Sequence, residues 1–212
     1  YTLSLHDALP IWIDTDVYYP LDPQLCKKAL DLPLDKKILM FGAQSLKDPR
    51  KGGDLLFRSL NSLPNSLKKE IILLTVGSNN ERLMQELGIQ SVNLGYVESD
   101  RLKVVAYSAA DLFVFPTRAD NLPLVLQESM ACGTPVVSFK IGGVSDLVRH
   151  KKTGYLAIPE NIEDLKNGII ELLDNPQQCL MMGKNARSIA VKEYSLELQA
   201  KKYIELYNKI LN

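Results

Sequence analysis

The sequence predicts an α/β fold, a Rossmann-like, doubly wound parallel sheet of about six strands followed by a helical C-terminal tail. Two patterns in the 212 residues lead to this prediction. Short runs that are almost wholly apolar, typical of strands buried on both faces of a parallel sheet, alternate with stretches of helical periodicity. From Ile162 onward the pattern is helical throughout, with apolar residues three or four positions apart and charged residues opposite them.

Each predicted strand is an apolar run bounded by glycine, proline or polar turns. The runs interpreted as strands are 37–42, 71–77, 92–97, 112–115, 136–139 and 155–158. The stretches interpreted as helices are 22–30, 54–63, 81–87, 99–107, 122–131, one from residue 144, and three in the tail beginning near residues 162, 176 and 195. In such a sheet the helices begin at the carboxyl edge, where ligands of open α/β sheets bind.

Composition argues against several classes of function. The 25 Lys and Arg residues balance the 25 Asp and Glu residues, so the overall charge does not favour binding to nucleic acid. The three cysteines have no C-x-x-C spacing, which indicates reduced thiols of a cytoplasmic protein rather than a zinc site or a disulfide framework. No apolar run approaches the ~20 residues of a membrane span, and no signal-peptide pattern is recognised.

The stretch 111–146 carries the candidate site. A buried strand is followed by a polar turn that contains Asp120, and Glu128 lies eight positions later inside the next predicted helix. Because helical side chains lean toward the amino end, Glu128 can reach the crevice that Asp120 borders. The unpaired N–H groups of the first turn lie between them and can bind a phosphate. Acceptors for hydroxyl groups beside a phosphate site predict a nucleotide sugar as ligand.

Three motifs in this stretch carry a family resemblance. They are Asp120-x7-Glu128, the sequence Ala-Cys-Gly-Thr-Pro-Val-Val at 131–137, and Gly142-Gly143. Together they resemble the donor-binding half of the retaining glycosyltransferases of the GT-B fold, the large group 1 family with an E-x7-E signature. The resemblance extends over residues 13–212, and it implies that the chain is the C-terminal half of a GT-B fold.

The resemblance also implies roles for individual residues. Glu128 would bind the ribose hydroxyls of the donor, Asp120 would contact hydroxyls of the donor sugar, and Lys51, in a basic glycine-bounded loop after the first strand, would contact the diphosphate. That loop is neither a G-x-G-x-x-G fingerprint nor a P-loop. The further donor-binding residues implied are Asn121, Leu122, Pro123, Leu124, Gly95, Tyr96, Val97, Gly42 and Thr134.

The chain departs from the family pattern at three points. Asp120 stands where the signature has Glu, and Asn-Leu-Pro follows it where many members have Gly-Phe-Gly. Ala43 stands where the family usually has an arginine after the first strand, and either Lys47 or Arg50 is a candidate replacement. Because the Asp120 side chain is one methylene shorter than that of Glu, this departure affects the implied sugar contact more than the implied ribose contact.

Four segments are expected along the chain. Residues 1–11 match the conceptual translation of a sequencing adapter, and 1–12 are interpreted as a non-native leader, with an ordinary extended segment as the alternative. Residues 13–36 resemble an interdomain lead-in segment, and 37–175 form the nucleotide-sugar-binding domain. Residues 176–212 are C-terminal helices, which in full-length relatives pack back on an N-terminal domain that is missing here.

The function expected from the resemblance is transfer of a sugar from a UDP- or GDP-sugar to a glycan or lipid-linked acceptor. The acceptor would bind through the missing domain, in bacterial exopolysaccharide or cell-envelope synthesis. Neither a metal nor another cofactor is expected. The protein would be cytoplasmic, with peripheral association at the inner face of the plasma membrane left open. The alternatives are a nucleotide-sugar epimerase or phosphorylase on the same fold, and a module that binds donor without turnover.

Overall fold

The structure, a computed structural model, describes residues 12–45, 48–78 and 86–211. Six parallel strands form one sheet in the order β3-β2-β1-β4-β5-β6. The strands are β1 (Lys37–Ser45), β2 (Ile71–Ser78), β3 (Gln90–Asn93), β4 (Leu112–Phe115), β5 (Val136–Phe139) and β6 (Gly154–Ala157). This is the doubly wound order, in which the strand sequence reverses direction between β1 and β4. The predicted fold class is confirmed.

Helices cover both faces of the sheet. They are α1 (Pro23–Ala29), a 3₁₀ turn (Pro49–Lys51), α2 (Gly53–Asn61), α3 (Asn65–Glu70), α4 (Asp100–Ala109), α5 (Leu124–Ala131), α6 (Val144–Leu147), α7 (Ile162–Asp174), α8 (Pro176–Glu193) and α9 (Leu196–Leu211). Several begin at side-chain caps, because a short polar side chain can accept from an otherwise unpaired N–H of the first turn. The capping residues are Asp22, Ser99, Asn161 and Asn175.

Alternate residues of the strands enter two separate cores, since both faces of the sheet are buried. Ile38 and Phe113 point into one core with residues of α1, α4, α5 and α8. Leu39 and Val114 point into the other with residues of α2, α3 and α7. Burial on both sides explains why the central strands read as unbroken apolar runs.

The structure differs from the predicted elements in detail. The third strand is Gln90–Asn93 rather than 92–97, because Gly95 adopts a left-handed conformation with φ of 68° and cannot continue the strand. α3 has no strong periodicity and was not predicted. α5 begins at Leu124 rather than at residue 122. Most of the helix predicted at 81–87 lies outside the described residues, as does Lys47.

The tail helices differ in how they pack. α8 buries residues such as Met182, Ala186 and Ile189 and packs against α5 and α7, so it is part of the domain core. α9 buries none of its side chains, and Ile204, Tyr207 and Ile210 are exposed. Packing of residues 176–212 against an N-terminal domain stays a prediction. In the described part of the chain, no helix has the length and apolar character required to cross a bilayer.

Candidate active site

The candidate site lies at the point where the strand order reverses. β1 and β4 are neighbours in the sheet, but the helices that follow them lie on opposite faces, so a crevice opens at their carboxyl ends. The loop after β1 leads to Lys51, and the loop after β4 leads to Asp120. These two loops therefore converge on one crevice.

Backbone contacts hold the two loops against each other. The Thr117 hydroxyl donates to the Arg50 carbonyl at 2.9 Å, and the Arg118 N–H donates to the same oxygen at 2.8 Å. Gly52 adopts a φ of 68°, and a Cβ there would lie 1.8 Å from the Pro116 carbonyl oxygen. Only glycine permits this approach, so Gly52 fixes the end of the 3₁₀ turn against the end of β4.

Arg118 reinforces the junction with its side chain. Its guanidinium donates to both carboxylate oxygens of Asp54, at 2.8 and 2.7 Å, to Glu160 at 3.0 Å and to the Pro49 carbonyl. The bidentate pair with Asp54 lowers the pKa of that carboxyl, chiefly through the hydrogen bond. Arg118 is thus a structural residue that positions the turn carrying Lys51.

Asp120 is the centre of a charged cluster in the crevice. The Lys51 ammonium lies 3.1 Å from Oδ2, and the Arg50 guanidinium donates to Oδ1 at 3.1 Å. The Thr117 hydroxyl oxygen lies 2.9 Å from Oδ2, so its one proton is shared between Asp120 and the Arg50 carbonyl. Lys51 also lies over the Phe115 ring, 5.4 Å from its centroid. The structure therefore brings Lys51 and Asp120 together, and it places Arg50 beside them.

Two glycines fix the backbone around Asp120. A Cβ on Gly142 would lie 2.6 Å from the Asp120 carbonyl oxygen, and one on Gly143 would lie 1.3 Å from the Asn121 carbonyl oxygen. The Gly143 N–H donates to the Asp120 carbonyl at 3.2 Å. The start of α6 therefore packs directly on the turn before α5, which it could not do with side chains at these two positions.

Asp120 does not cap α5. The N-cap is Pro123, and no side chain accepts a hydrogen bond there. Asp120 lies too early in the chain and its carboxylate is occupied by Arg50, Lys51 and Thr117. The first-turn N–H groups of Leu124 and Val125 are those that an α-helix leaves without an intrahelical acceptor. The amino end of α5 can accordingly still interact with an anion.

Glu128 lies in a second polar cluster, four residues into α5, about 6 Å along the helix axis from Leu124. Its side chain is 12% exposed. The Tyr107 hydroxyl donates to Oε2 at 2.9 Å, and the Tyr18 hydroxyl lies 3.2 Å from Oε1. The Lys103 ammonium is 4.0 Å away. Glu128 is thus a buried carboxylate surrounded by hydrogen-bond donors.

Burial dominates the protonation of Glu128. It raises the pKa of this carboxyl above its ordinary value, while the hydrogen bonds from Tyr107 and Tyr18 and the charge of Lys103 oppose the rise. Burial also raises the pKa of Tyr107 well above its usual range, with the neighbouring Glu128 adding to the effect. Both effects come from placing ionisable groups in an apolar environment.

The other predicted donor contacts lie in two places. Gly42 is in β1 near its carboxyl end, and Gly95, Tyr96 and Val97 follow β3 at the same edge of the sheet. Tyr96 is 69% exposed, whereas the Val97 side chain is buried. Around the start of α5, Asn121 and Leu124 are exposed, Leu122 is partly buried and Pro123 is buried.

Thr134 lies elsewhere, and its assignment to the donor site needs correction. It precedes β5 and is therefore at the amino edge of the sheet, opposite the crevice. Its side chain is buried, and its hydroxyl donates to the Tyr107 carbonyl at 2.7 Å. Thr134 therefore joins α4 to the turn after α5 and does not reach the crevice.

Sequence reasoning missed the partners of Glu128. Tyr18, Asp100, Lys103 and Tyr107 come from the lead-in segment and from α4, so only the fold brings them to the carboxylate. Among the described residues, no group of three or more His, Cys, Asp or Glu could hold a metal ion. Independence from metals stays a prediction.

Three comparisons place the chain among known proteins. D-inositol 3-phosphate glycosyltransferase of Mycobacterium leprae is 30% identical over 206 residues, covering 89% of this chain and 45% of the relative. Sucrose-phosphate synthase from Thermosynechococcus elongatus superposes with a TM-score of 0.84 at 28% identity, over 96% of this chain and 52% of that one. HepE from Anabaena, in complex with UDP-glucose, shares the fold with a TM-score of 0.79 at 22% identity, over 93% and 56%.

The coverage of these relatives is partial. The chain spans about half the length of the curated relatives it matches. Its fold corresponds to the C-terminal domain of GT-B glycosyltransferases, as the resemblance implied. The model of the family described as glycosyl transferases group 1 matches residues 24–189, and the chain belongs to that family.

Proposed function

We propose that this chain is the donor-binding half of a retaining glycosyltransferase, which moves a sugar from a nucleotide diphosphate sugar to a glycan or lipid-linked acceptor. The observation that carries the proposal is the 3.1 Å contact between Lys51 and Asp120, where the strand order reverses and just before the helix that carries Glu128. The two cations and the helix amino end would bind the diphosphate, and the buried carboxylate of Glu128 would bind the ribose.

The diphosphate would bind beside Lys51 and Arg50. Both cations contact Asp120, and Arg50 also lies 3.5 Å from Asp48, so two carboxylates balance them in the crevice and a diphosphate would compete for these contacts. The amino end of α5 adds positive potential. When the glycosidic bond to the diphosphate breaks, negative charge develops on the leaving group, and positive charge fixed in advance stabilises it. These groups would stabilise the leaving group in place of a divalent metal ion, so we propose metal-independent transfer.

The carboxylates would bind the hydroxyl groups of the donor. Glu128 would accept from the two ribose hydroxyls, orienting the nucleotide without transferring a proton. Asp120 Oδ1 receives one donor, from Arg50, whereas Oδ2 receives Lys51 and shares the Thr117 proton with the Arg50 carbonyl. A carboxylate oxygen can accept two hydrogen bonds, so the sugar contact proposed for Asp120 would use the remaining position on Oδ1.

The comparisons support the donor class rather than a particular donor. The relative from Mycobacterium leprae is named a D-inositol 3-phosphate glycosyltransferase, and the Anabaena neighbour holds UDP-glucose. We propose a UDP- or GDP-sugar as donor. The acceptor would bind through a second domain of the kind that the relatives possess, in bacterial exopolysaccharide or cell-envelope synthesis, at the cytoplasmic face of the membrane.

A thermal-shift scan of the 212-residue chain against UDP-, GDP- and ADP-sugars tests the proposal. We expect one base series to raise the melting temperature, equally with and without EDTA. A Lys51→Met variant should show a smaller shift at the same ligand concentration. Absence of a shift with every nucleotide would contradict donor binding, and a shift that EDTA abolishes and Mn²⁺ restores would contradict metal independence.

A second candidate is a domain that binds donor without turnover. The partial coverage of the relatives favours this reading for the isolated chain. We expect the chain alone to bind donor and release no nucleoside diphosphate when an acceptor is added. An epimerase or phosphorylase of this fold would need catalytic groups of its own. Release of the nucleoside diphosphate by a protein that includes the second domain would favour transfer over both.

A further inference from the structure

We propose that Tyr18 and Tyr107 are positioning residues, which hold the Glu128 carboxylate in the orientation that accepts both hydroxyls of the ribose. The inference rests on the proposed function, because it assumes that Glu128 is the ribose acceptor. Neither tyrosine belongs to a sequence motif of the site, and one of them comes from the segment that precedes the sheet.

Each tyrosine contacts a different oxygen of the carboxylate. The Tyr107 hydroxyl donates to Oε2 at 2.9 Å, and the Tyr18 hydroxyl lies 3.2 Å from Oε1. Two contacts on two oxygens fix the plane of the Glu128 carboxylate. Each oxygen can accept a second hydrogen bond, so one position on each remains for a ribose hydroxyl. The tyrosines therefore orient the group without using up its capacity to bind a diol.

Packing fixes Tyr107. Its side chain is buried, and its ring meets the Phe113 ring edge to face at 5.4 Å between centroids. Aromatic pairs in this geometry favour one ring orientation, so the hydroxyl points steadily at Glu128. Since its pKa is raised, Tyr107 remains protonated and continues to donate at neutral and mildly alkaline pH.

Arg187 of α8 fixes Tyr18. Its guanidinium donates to the Tyr18 carbonyl at 2.7 Å and to the Thr15 carbonyl at 3.1 Å, and also to the Ala131 carbonyl at 3.1 Å, at the end of α5. One side chain thereby joins the lead-in segment to the helix that carries Glu128. The Tyr18 ring is buried as a consequence, with its hydroxyl at the carboxylate.

Asp100 and Lys103 complete the surroundings of Glu128. The Tyr18 hydroxyl is 2.7 Å from Asp100 Oδ1, so its one proton is shared between two carboxylates. Lys103 lies 3.1 Å from Asp100 and 4.0 Å from Glu128, and its charge offsets part of their repulsion. Removal of Asp100, whose side chain is 54% exposed, would leave the Tyr18 proton to Glu128 alone.

The test compares ribose and deoxyribose ligands in single-atom variants. Tyr18→Phe and Tyr107→Phe each remove one hydroxyl and keep the ring. Tyr155→Phe is the matched control, because the Tyr155 hydroxyl also donates to a carboxylate, Asp164 at 2.7 Å, but at β6. Isothermal titration with UDP, GDP and ADP and their 2′-deoxy forms gives a ratio of ribose to deoxyribose affinity for each protein.

We expect the wild-type chain to prefer one ribose form by at least tenfold. Tyr18→Phe and Tyr107→Phe should each reduce this preference about three- to tenfold while affinity for the deoxy form changes less than twofold. Tyr155→Phe should keep the wild-type ratio. A purely structural defect would weaken both ligands alike. Asp100→Ala, a substitution at an exposed side chain, should maintain or increase the preference.

Two results would overturn the proposal in distinguishable ways. In the first, the wild-type chain prefers the ribose form, but both phenylalanine variants keep the wild-type preference or Asp100→Ala lowers it. The positioning roles are then wrong and the proposed function stands. If the wild-type chain binds none of the nucleotides, or binds both forms equally, Glu128 is not the ribose acceptor and both proposals fail.

Discussion

Glu128→Gln should weaken donor binding and stabilise the fold at the same time. The glutamine keeps one acceptor oxygen but replaces the other with an NH₂ group, which repels a ribose hydroxyl proton and faces a tyrosine hydroxyl. A hydrogen bond to a charged acceptor contributes about 1.5–3 kcal/mol. Losing one such bond and weakening the second costs about 3 kcal/mol, which corresponds to about 100-fold weaker binding at 1.4 kcal/mol per tenfold.

The effect on stability follows from the raised pKa of Glu128. The folded chain binds this proton more tightly than the unfolded chain, whose carboxyl has its ordinary value near 4.5. The contribution of Glu128 to stability therefore falls as the pH rises from about 4.5 through the folded pKa, and stays low above it. Glutamine has no such proton. We expect Glu128→Gln to unfold at higher urea than wild type at pH 7.5, with the difference closing toward pH 4.5.

Calorimetric titration and urea unfolding at several pH values measure the two effects. Glu205→Gln, at an exposed position of α9, is the control and should change neither. Binding as tight as wild type would refute the ribose role of Glu128. A variant less stable than wild type at pH 7.5 would show that the charged hydrogen bonds outweigh the cost of burying the carboxylate.

Three further substitutions separate binding from stability. Lys51→Met should weaken nucleoside diphosphate binding about tenfold and reduce its salt dependence, whereas Lys69→Met, on an exposed lysine, should do neither; equal affinities would remove Lys51 from the site. Thr134→Val should leave affinity unchanged and cost about 1–3 kcal/mol in urea unfolding, because a buried carbonyl loses its donor; loss of affinity would return this residue to the site. Gly143→Ala should lower both stability and affinity well beyond Gly88→Ala, whose Cβ would meet open space and which costs only the strain of a left-handed φ of 63°; equal losses would mean that the close approach at Gly143 is unimportant.

The fold could be predicted because its signal is local. A strand buried on both faces is an unbroken apolar run, and β4 and β5 were predicted with the bounds that the structure shows. The bounds of an element were harder to predict where they depend on the backbone conformation of a single residue. The third strand ends early because of the left-handed Gly95, and α5 starts two residues late because its first turn is replaced by the packing of Gly143 on Asn121.

The candidate site was only partly accessible from the sequence. Asp120 and Glu128 lie in one short segment, and Lys51 follows the neighbouring strand, so motif and topology together brought them into one crevice. Whether Lys47 or Arg50 replaces the family arginine was left open, and the contact of Arg50 with Asp120 was not predicted, because the sequence does not show which way a turn points its side chains. Tyr18 could not be found at all, since it lies 110 positions from Glu128 and nothing in its own segment indicates a ligand.

A crystal structure of the chain with a bound nucleoside diphosphate would show whether Glu128 and Lys51 bind the donor. We expect ribose hydroxyls within 3.2 Å of both Glu128 oxygens, the range of ordinary hydrogen bonds, and phosphate oxygens beside Lys51 and the start of α5. A nucleotide bound at the amino edge of the sheet, or one whose ribose leaves Glu128 in contact with its tyrosines alone, would contradict this expectation.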